Sequence, residues 1–173
     1  MKDSIPFLSR DNIVKHKEYL KRLKLEYAII EKSYADIYGL PSDKILKSNL
    51  ERRAKLEAYA SKLEIELHEL FFSSFFEKNM KAKLPFYNNS SQAGFLYEAE
   101  REAVLGDGLF LIICKSNKGV ICKSLIRTYA EFPESKPLLC IDLCEHSYFS
   151  DYSFDKRRYV REALLHLNFN KMN

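Results

Sequence analysis

Three histidines and one aspartate carry the chemistry this chain could perform. Asp142 and His146 stand in Asp142-Leu143-Cys144-Glu145-His146. Their i, i+4 spacing puts both side chains on one face if the segment is helical. Such a pair can ligate a metal, act in catalysis or cap a helix. His68 lies in Leu67-His68-Glu69-Leu70-Phe71-Phe72, an otherwise apolar run, where an imidazole is either a hydrogen-bonded core group or a ligand. His16 falls in the middle of a predicted helix, where a lone imidazole is expected on the surface. Together, three imidazoles and one carboxylate form a mixed nitrogen and oxygen donor set. Such a set suits Fe, Mn or Zn and does not suit Mg or Ca. The spacing permits this convergence and does not require it.

The elements that would position these groups are legible in the hydrophobic pattern. Ser9 is a predicted N-cap and Asp11 falls in the first turn of a helix over residues 9–35. Ile13, Leu20, Leu23, Tyr27 and Ile30 recur there at helical spacing. Gly39-Leu40-Pro41-Ser42 breaks the chain, and a second helix over 42–77, capped by Ser42, carries Leu50, Leu56, Leu63, Leu67, Leu70 and Phe71. Two long amphipathic helices with a short connection should pack antiparallel. Lys81 to Ser91 reads as a linker, and a shorter helix over about 90–104 stops near Gly106-Asp107-Gly108. Two β-rich runs follow, Leu109 to Cys114 and Val120 to Ile126, joined by the hairpin signal Ser116-Asn117-Lys118-Gly119. Pro137 to Ile141 reads as a third strand, and the stretch from Glu145 to about Leu167 as helical. The expected fold is α+β: an N-terminal antiparallel helical hairpin domain, residues 1–84, then an α/β C-terminal domain, residues 85–173, with a three-stranded antiparallel sheet.

Composition narrows the function classes. The chain has 173 residues, 46% hydrophobic and 30% charged, with five Gly, five Pro and no Trp. That composition belongs to a globular protein rather than a disordered one, and favours helices over a turn-rich β fold. No apolar stretch reaches the roughly 18–20 residues of a membrane span, and Met1-Lys2-Asp3-Ser4 opens no signal-peptide apolar region. The expected location is therefore cytoplasmic, with no membrane partner. A net charge of +4 is mild and helps attract a small anion. Basic and acidic residues interleave without a basic stripe, so nucleic acid is not the expected partner. Cys114, Cys122, Cys140 and Cys144 contain no C-x-x-C and read as buried free thiols.

Several segments resemble a known family. Asp142-Leu143-Cys144-Glu145-His146-Ser147-Tyr148-Phe149-Ser150-Asp151-Tyr152 resembles the D-x-W-E-H-A-Y-Y-x-D-Y signature of iron/manganese superoxide dismutases. The likeness continues through Tyr159-Val160 to Asn168-Phe169. Gly106-Asp107-Gly108-Leu109-Phe110-Leu111 resembles the family's G-S-G-W-x-W-L, and Pro137-Leu138-Leu139-Cys140-Ile141-Asp142 its P-L-L-G-I-D. His68-Glu69-Leu70-Phe71-Phe72 resembles the second-helix motif in its H-E-L-Y-F form. Pro6-Phe7-Leu8-Ser9, with His16 seven residues past Ser9, resembles the start of the first helix.

The resemblance implies that His16, His68, Asp142 and His146 bind one Fe or Mn ion per subunit. It further implies that the ion cycles between +3 and +2 and converts superoxide anion to dioxygen and hydrogen peroxide. It also implies a homodimer in which Glu145 accepts a hydrogen bond from the partner's His146. In a second register, His16 lies five residues later in the pattern, Tyr19 becomes the family's active-site Tyr and Asp11 takes the first ligand position. The Pro6-Phe7-Leu8-Ser9 register keeps the ligand set whole.

The residues around the ligands depart from the family. The active-site Tyr falls on Lys24, and a His four residues after the first ligand falls on Leu20. The Tyr that pairs with that His across the dimer falls on Phe149. Cys144 and Leu109 stand where the family has Trp. The position of the family's Gln in the second helix is Glu64, which is expected to act beside the ligands in catalysis, and Thr128-Tyr129-Ala130-Glu131 offers no Gln in its place. These changes leave an alternative open, a dismutase-like fold kept as a structural or interaction protein with weak or no activity.

Overall fold

In the computed structural model, residues 4–38, 44–76, 92–106, 108–116, 119–125 and 137–172 are described. Helix α1 spans Arg10–Tyr38 and α2 spans Lys44–Ser73. They are followed by α3 (Gln92–Leu105), β1 (Phe110–Ser116), β2 (Gly119–Leu125), β3 (Pro137–Asp142), α4 (Glu145–Tyr152), α5 (Lys156–His166) and a 3-10 turn, Phe169–Met172. The class is α+β. Ser9 caps α1 as its sequence position predicts: its Oγ accepts from Asn12 N–H at 3.1 Å, satisfying one of the orphan donors of a helix start. The expected cap Ser42, the linker Lys81 to Ser91 and the domain division at 84/85 lie outside the described residues.

The sheet has the order β2-β1-β3 with both pairings antiparallel. Side chains alternate along β1. Leu111 and Ile113 join the main core with Leu20, Phe71, Phe72, Phe75, Leu139, Ile141, Val160 and Leu164. Phe110, Ile112 and Cys114 face the other way, packing with Leu67 of α2 and with Cys140. In β3, Asp142 has the same parity as Cys140. It therefore ends the strand on the face turned toward α2, and Phe110 is its partner across the ladder.

Two features differ from the sequence expectation. The helical stretch after Glu145 is two helices. Ser153, with φ 51 and ψ −128, ends α4, and Asp155 starts α5 by accepting from Arg158 N–H at 2.9 Å. A non-glycine residue in this backbone region is strained, and the break turns α5 back against α3. The expected apolar stripe of α2 is also shorter than its pattern: Leu56 is 40% exposed, whereas Leu67 and Phe71 are buried. The α2 residues that pack on the sheet, Leu63, Leu67 and Leu70, lie in its later turns.

The two halves are tied together near the start of α1. Ser9 N–H donates to Asp151 Oδ2 at 2.8 Å and Tyr152 Oη donates to the Phe7 carbonyl at 2.7 Å. Among the described residues, no helix is long and apolar enough to cross a membrane.

Candidate metal centre

Each of the four residues is delivered by a different local device. On α1, Asn12, His16, Leu20 and Leu23 form one buried stripe at three- and four-residue spacing. On α2, Glu64, His68, Phe71 and Phe72 do the same. His68 Nδ1 donates to the Glu64 carbonyl at 2.7 Å. A carbonyl only accepts, so Nδ1 carries the proton and Nε2 points onward with its lone pair. Asp142 sits at the end of β3 and is locked there by three groups. Cys144 N–H donates to Asp142 Oδ1 at 2.8 Å, while Ser147 Oγ and Tyr159 Oη donate to the Asp142 carbonyl at 3.0 and 2.7 Å. His146 lies in the first turn of α4, four residues on.

These devices converge. His16 Nε2, His68 Nε2 and His146 Nε2 lie 3.1, 3.1 and 3.0 Å from one atom, Asp142 Oδ2. One ligand atom from each of the four residues lies within 4.8 Å of all the others. The His16, His68 and Asp142 side chains are fully buried, and that of His146 is 26% exposed. Neither Asp142 Oδ2 nor His16 Nε2 makes a hydrogen bond despite the short approach. Lone pairs therefore face one another in a buried space, which is unfavourable unless a cation or protons sit among them. Donors about 2.1 Å from a common ion lie roughly 3–4 Å apart, and the three distances to Asp142 Oδ2 fall in that range. The residues present thus fit an ion of the nitrogen-and-oxygen class.

The electrostatics point the same way. Burial would raise the Asp142 pKa, but the three adjacent imidazoles outweigh it and hold the carboxyl well below its ordinary value. Burial lowers His16 below the ordinary imidazole value. Burial also opposes charge on His68, but Asp142 and the Glu64 carbonyl reverse this and raise it. The ionised Asp142 carboxylate and the lowered His16 imidazole suit metal binding, whereas the raised His68 must give up a more firmly held proton.

Around the donors, some expectations change. Lys24, at the position of the family's active-site Tyr, is remote from the donors. Its Nζ pairs with Glu69 Oε1 at 2.5 Å on an exposed edge. Tyr19 lies beside the cluster instead: its ring stacks on His146 at 4.0 Å, and its hydroxyl donates to Glu64 Oε1 at 2.9 Å. His16 within the cluster and Tyr19 beside it therefore occur together, although the two sequence registers treated those placements as exclusive. The missed signal was helical spacing, since Tyr19 is three residues from His16 and shares its face.

Glu64 is buried beside the donors. Leu20 is fully buried in the core, and Phe149 is 43% exposed and packs edge-on against Phe154. Cys144 is a partly buried free thiol whose Sγ faces the Leu109 carbonyl at 3.7 Å. Burial first, and then Asp142, push its pKa up, which makes it a poor thiolate ligand. Cys114 and Cys140 are buried free thiols, and burial pushes Cys114 up to about 11. The side chain of Cys122 lies outside the described residues.

Residues 86–173 match the family model for the C-terminal domain of iron/manganese superoxide dismutases. That span covers Asp142, His146 and the whole sheet. No curated protein matches the chain.

Proposed function

Because the chain belongs to the iron/manganese superoxide dismutase family, we propose that it converts superoxide to dioxygen and hydrogen peroxide. It does so with one Fe or Mn ion per subunit, held by His16, His68, Asp142 and His146. The observation that carries this reading is the approach of three imidazole Nε2 atoms to one carboxylate oxygen at a buried point. The ion supplies one-electron redox chemistry when bound.

The chain's own residues have defined tasks. Asp142 brings the one formal negative charge to the donor set and favours the more highly charged ion. Tyr19 covers the outer face of His146, and its hydroxyl with Glu64 Oε1 forms a pair able to hold a proton beside the donors. Arg22, 5.3 Å above the Tyr19 ring on the solvent side, adds positive charge where an anion would arrive. In this reading residues 1–84 contribute two donors, residues 85–173 contribute the other two, and the protein works in the cytoplasm. A homodimer forms over α4, with Glu145 of one copy accepting from His146 of the other. The exposed Glu145, the partly exposed His146 and the apolar Phe149 and Phe154, 43% and 88% exposed, support that face as the interface.

The test is a superoxide-consumption assay on chain loaded with Fe or with Mn, beside His146→Ala. Consumption above that of the free ion, lost in the variant, is the expected result. Full metal loading without consumption would favour the second reading, a dismutase-like fold retained for a structural or interaction role. The specific observation behind that alternative is the replacement of the family's surroundings by Lys24, Leu20, Cys144, Leu109 and Phe149.

A further inference from the structure

The buried stripe of α1 holds one more polar side chain, Asn12. It is fully buried, and among the described residues neither its carboxamide oxygen nor its nitrogen has a hydrogen-bond partner. A buried amide with both ends unpaired is destabilising, so its presence needs a reason. One turn later, His16 Nδ1 is also buried and unpaired. The two residues are four apart on one helix, so their side chains share a face, and the His16 side chain leans back toward the turn of Asn12. The rings of Phe71 and Phe72 lie 4.8 and 4.9 Å from that of His16, and neither offers an acceptor.

The other donor on a long helix is finished differently. His68 Nδ1 donates to the carbonyl of the residue four before it, Glu64, and the non-ligand His166 does the same to Glu162 at 2.8 Å. His16 lacks that bond, and the residue four before it is Asn12. An imidazole that ligates through Nε2 carries its proton on Nδ1, and an acceptor for that proton fixes the tautomer and the ring orientation.

Resting on the metal reading above, we propose that Asn12 is a positioning residue for His16. When an ion is bound at His16 Nε2, the Asn12 carboxamide oxygen accepts the His16 Nδ1 proton. Asn12 is thereby paired only in the loaded protein, and the metal-free chain carries it unpaired. Two consequences of opposite sign follow for Asn12→Leu, which keeps the branching at Cγ and removes the polar atoms. The metal-free variant becomes more stable, because an unsatisfied buried group is gone. The loaded variant holds its ion less tightly, because Nδ1 has lost its acceptor.

The experiment compares wild type, Asn12→Leu and Asn12→Asp in three measurements. These are the affinity for Mn2+ by chelator competition, the urea midpoint of the metal-free chains, and the His16 Nδ1 proton signal in 15N-labelled protein loaded with Zn2+. Asn12→Leu is expected to weaken metal binding roughly 10–100-fold, to raise the metal-free midpoint and to lose the slowly exchanging Nδ1 proton. Asn12→Asp, which keeps an acceptor oxygen, is expected to retain both affinity and signal. Asn12→Ala reads the same way should Asn12→Leu fail to fold. Wild-type affinity in Asn12→Leu, or affinity and metal-free stability falling together, overturns the proposal. A wild-type chain that takes up no metal overturns the underlying metal reading before any variant is compared.

Discussion

The two halves of the molecule supply two donors each but hold them by different means. In the C-terminal half, Asp142 and His146 are four residues apart, and three hydrogen bonds from Cys144, Ser147 and Tyr159 fix the strand end that carries them. In the N-terminal half, His16 and His68 sit on separate long helices, and the aromatic rings of Phe71 and Phe72 hold His16 in place. The C-terminal geometry is thus local and polar, while the N-terminal geometry is long-range and apolar. The family model matches the first of these regions, residues 86–173. A turn that makes its own hydrogen bonds constrains residue type at each position. Two helices that meet through packing tolerate changed neighbours provided that volume and register are kept. The departures at Leu20, Lys24 and Glu64 fall on the packed side, although Cys144, Leu109 and Phe149 show that the C-terminal half has changed as well.

The sharpest way to break the contrast is to remove one donor from each half. His16→Ala and Asp142→Asn are both expected to abolish stoichiometric metal uptake, measured by metal analysis after gel filtration, because in the proposed centre each supplies one of the four donors. They should differ in acid unfolding. Asp142 has a folded-state pKa below its unfolded value of about 3.9. Its contribution is therefore complete above that value and is lost as pH falls toward the folded-state pKa. Wild type should lose urea stability more steeply than Asp142→Asn between about pH 5 and pH 2. Equal slopes would mean that Asp142 is not held ionised.

A smaller effect is expected at Tyr159→Phe. The buried hydroxyl donates to the Asp142 carbonyl, and its loss should cost about 1–2 kcal/mol in urea unfolding. It should also speed release of metal to a chelator. An unchanged release rate would show that the polar lock is not what positions the C-terminal donors.

Much of the C-terminal half was legible in the sequence. The Asp142-to-His146 spacing, the strand alternation and the Ser116-to-Gly119 turn signal all act over a few residues, and the ladder places Ser116 opposite Gly119. His68 was legible because an imidazole in an apolar helical run has few alternatives. Less was legible where position depends on how two helices meet. Tyr19 reaches Glu64 across 45 residues, and a register taken from one helix alone assigned its place to Lys24. Leu56 looked like core because its spacing is helical, yet it is 40% exposed. The turn at Ser153 was invisible because serine gives no warning of a positive φ.

Two smaller predictions sharpen the account of the C-terminal half. Ser153→Gly should stabilise the chain by on the order of 1 kcal/mol, since glycine adopts that backbone region without strain. A fall in the thermal midpoint would mean that the serine side chain contributes more than its backbone costs. Last, Glu100 joins α3 to α5 through Arg157 and Arg161. Burial of its side chain, 15% exposed, opposes ionisation, but the two guanidinium groups reverse this and lower its pKa. Because both arginines are well exposed, Glu100→Gln should cost less than about 1 kcal/mol, and less still in high salt.

The most direct test is a crystal structure of the purified chain with anomalous data collected across the iron and manganese absorption edges. One anomalous peak per chain is predicted, bonded to His16 Nε2, His68 Nε2, His146 Nε2 and an Asp142 carboxylate oxygen. A peak elsewhere, or an ion bound at this site without His16, would contradict the account.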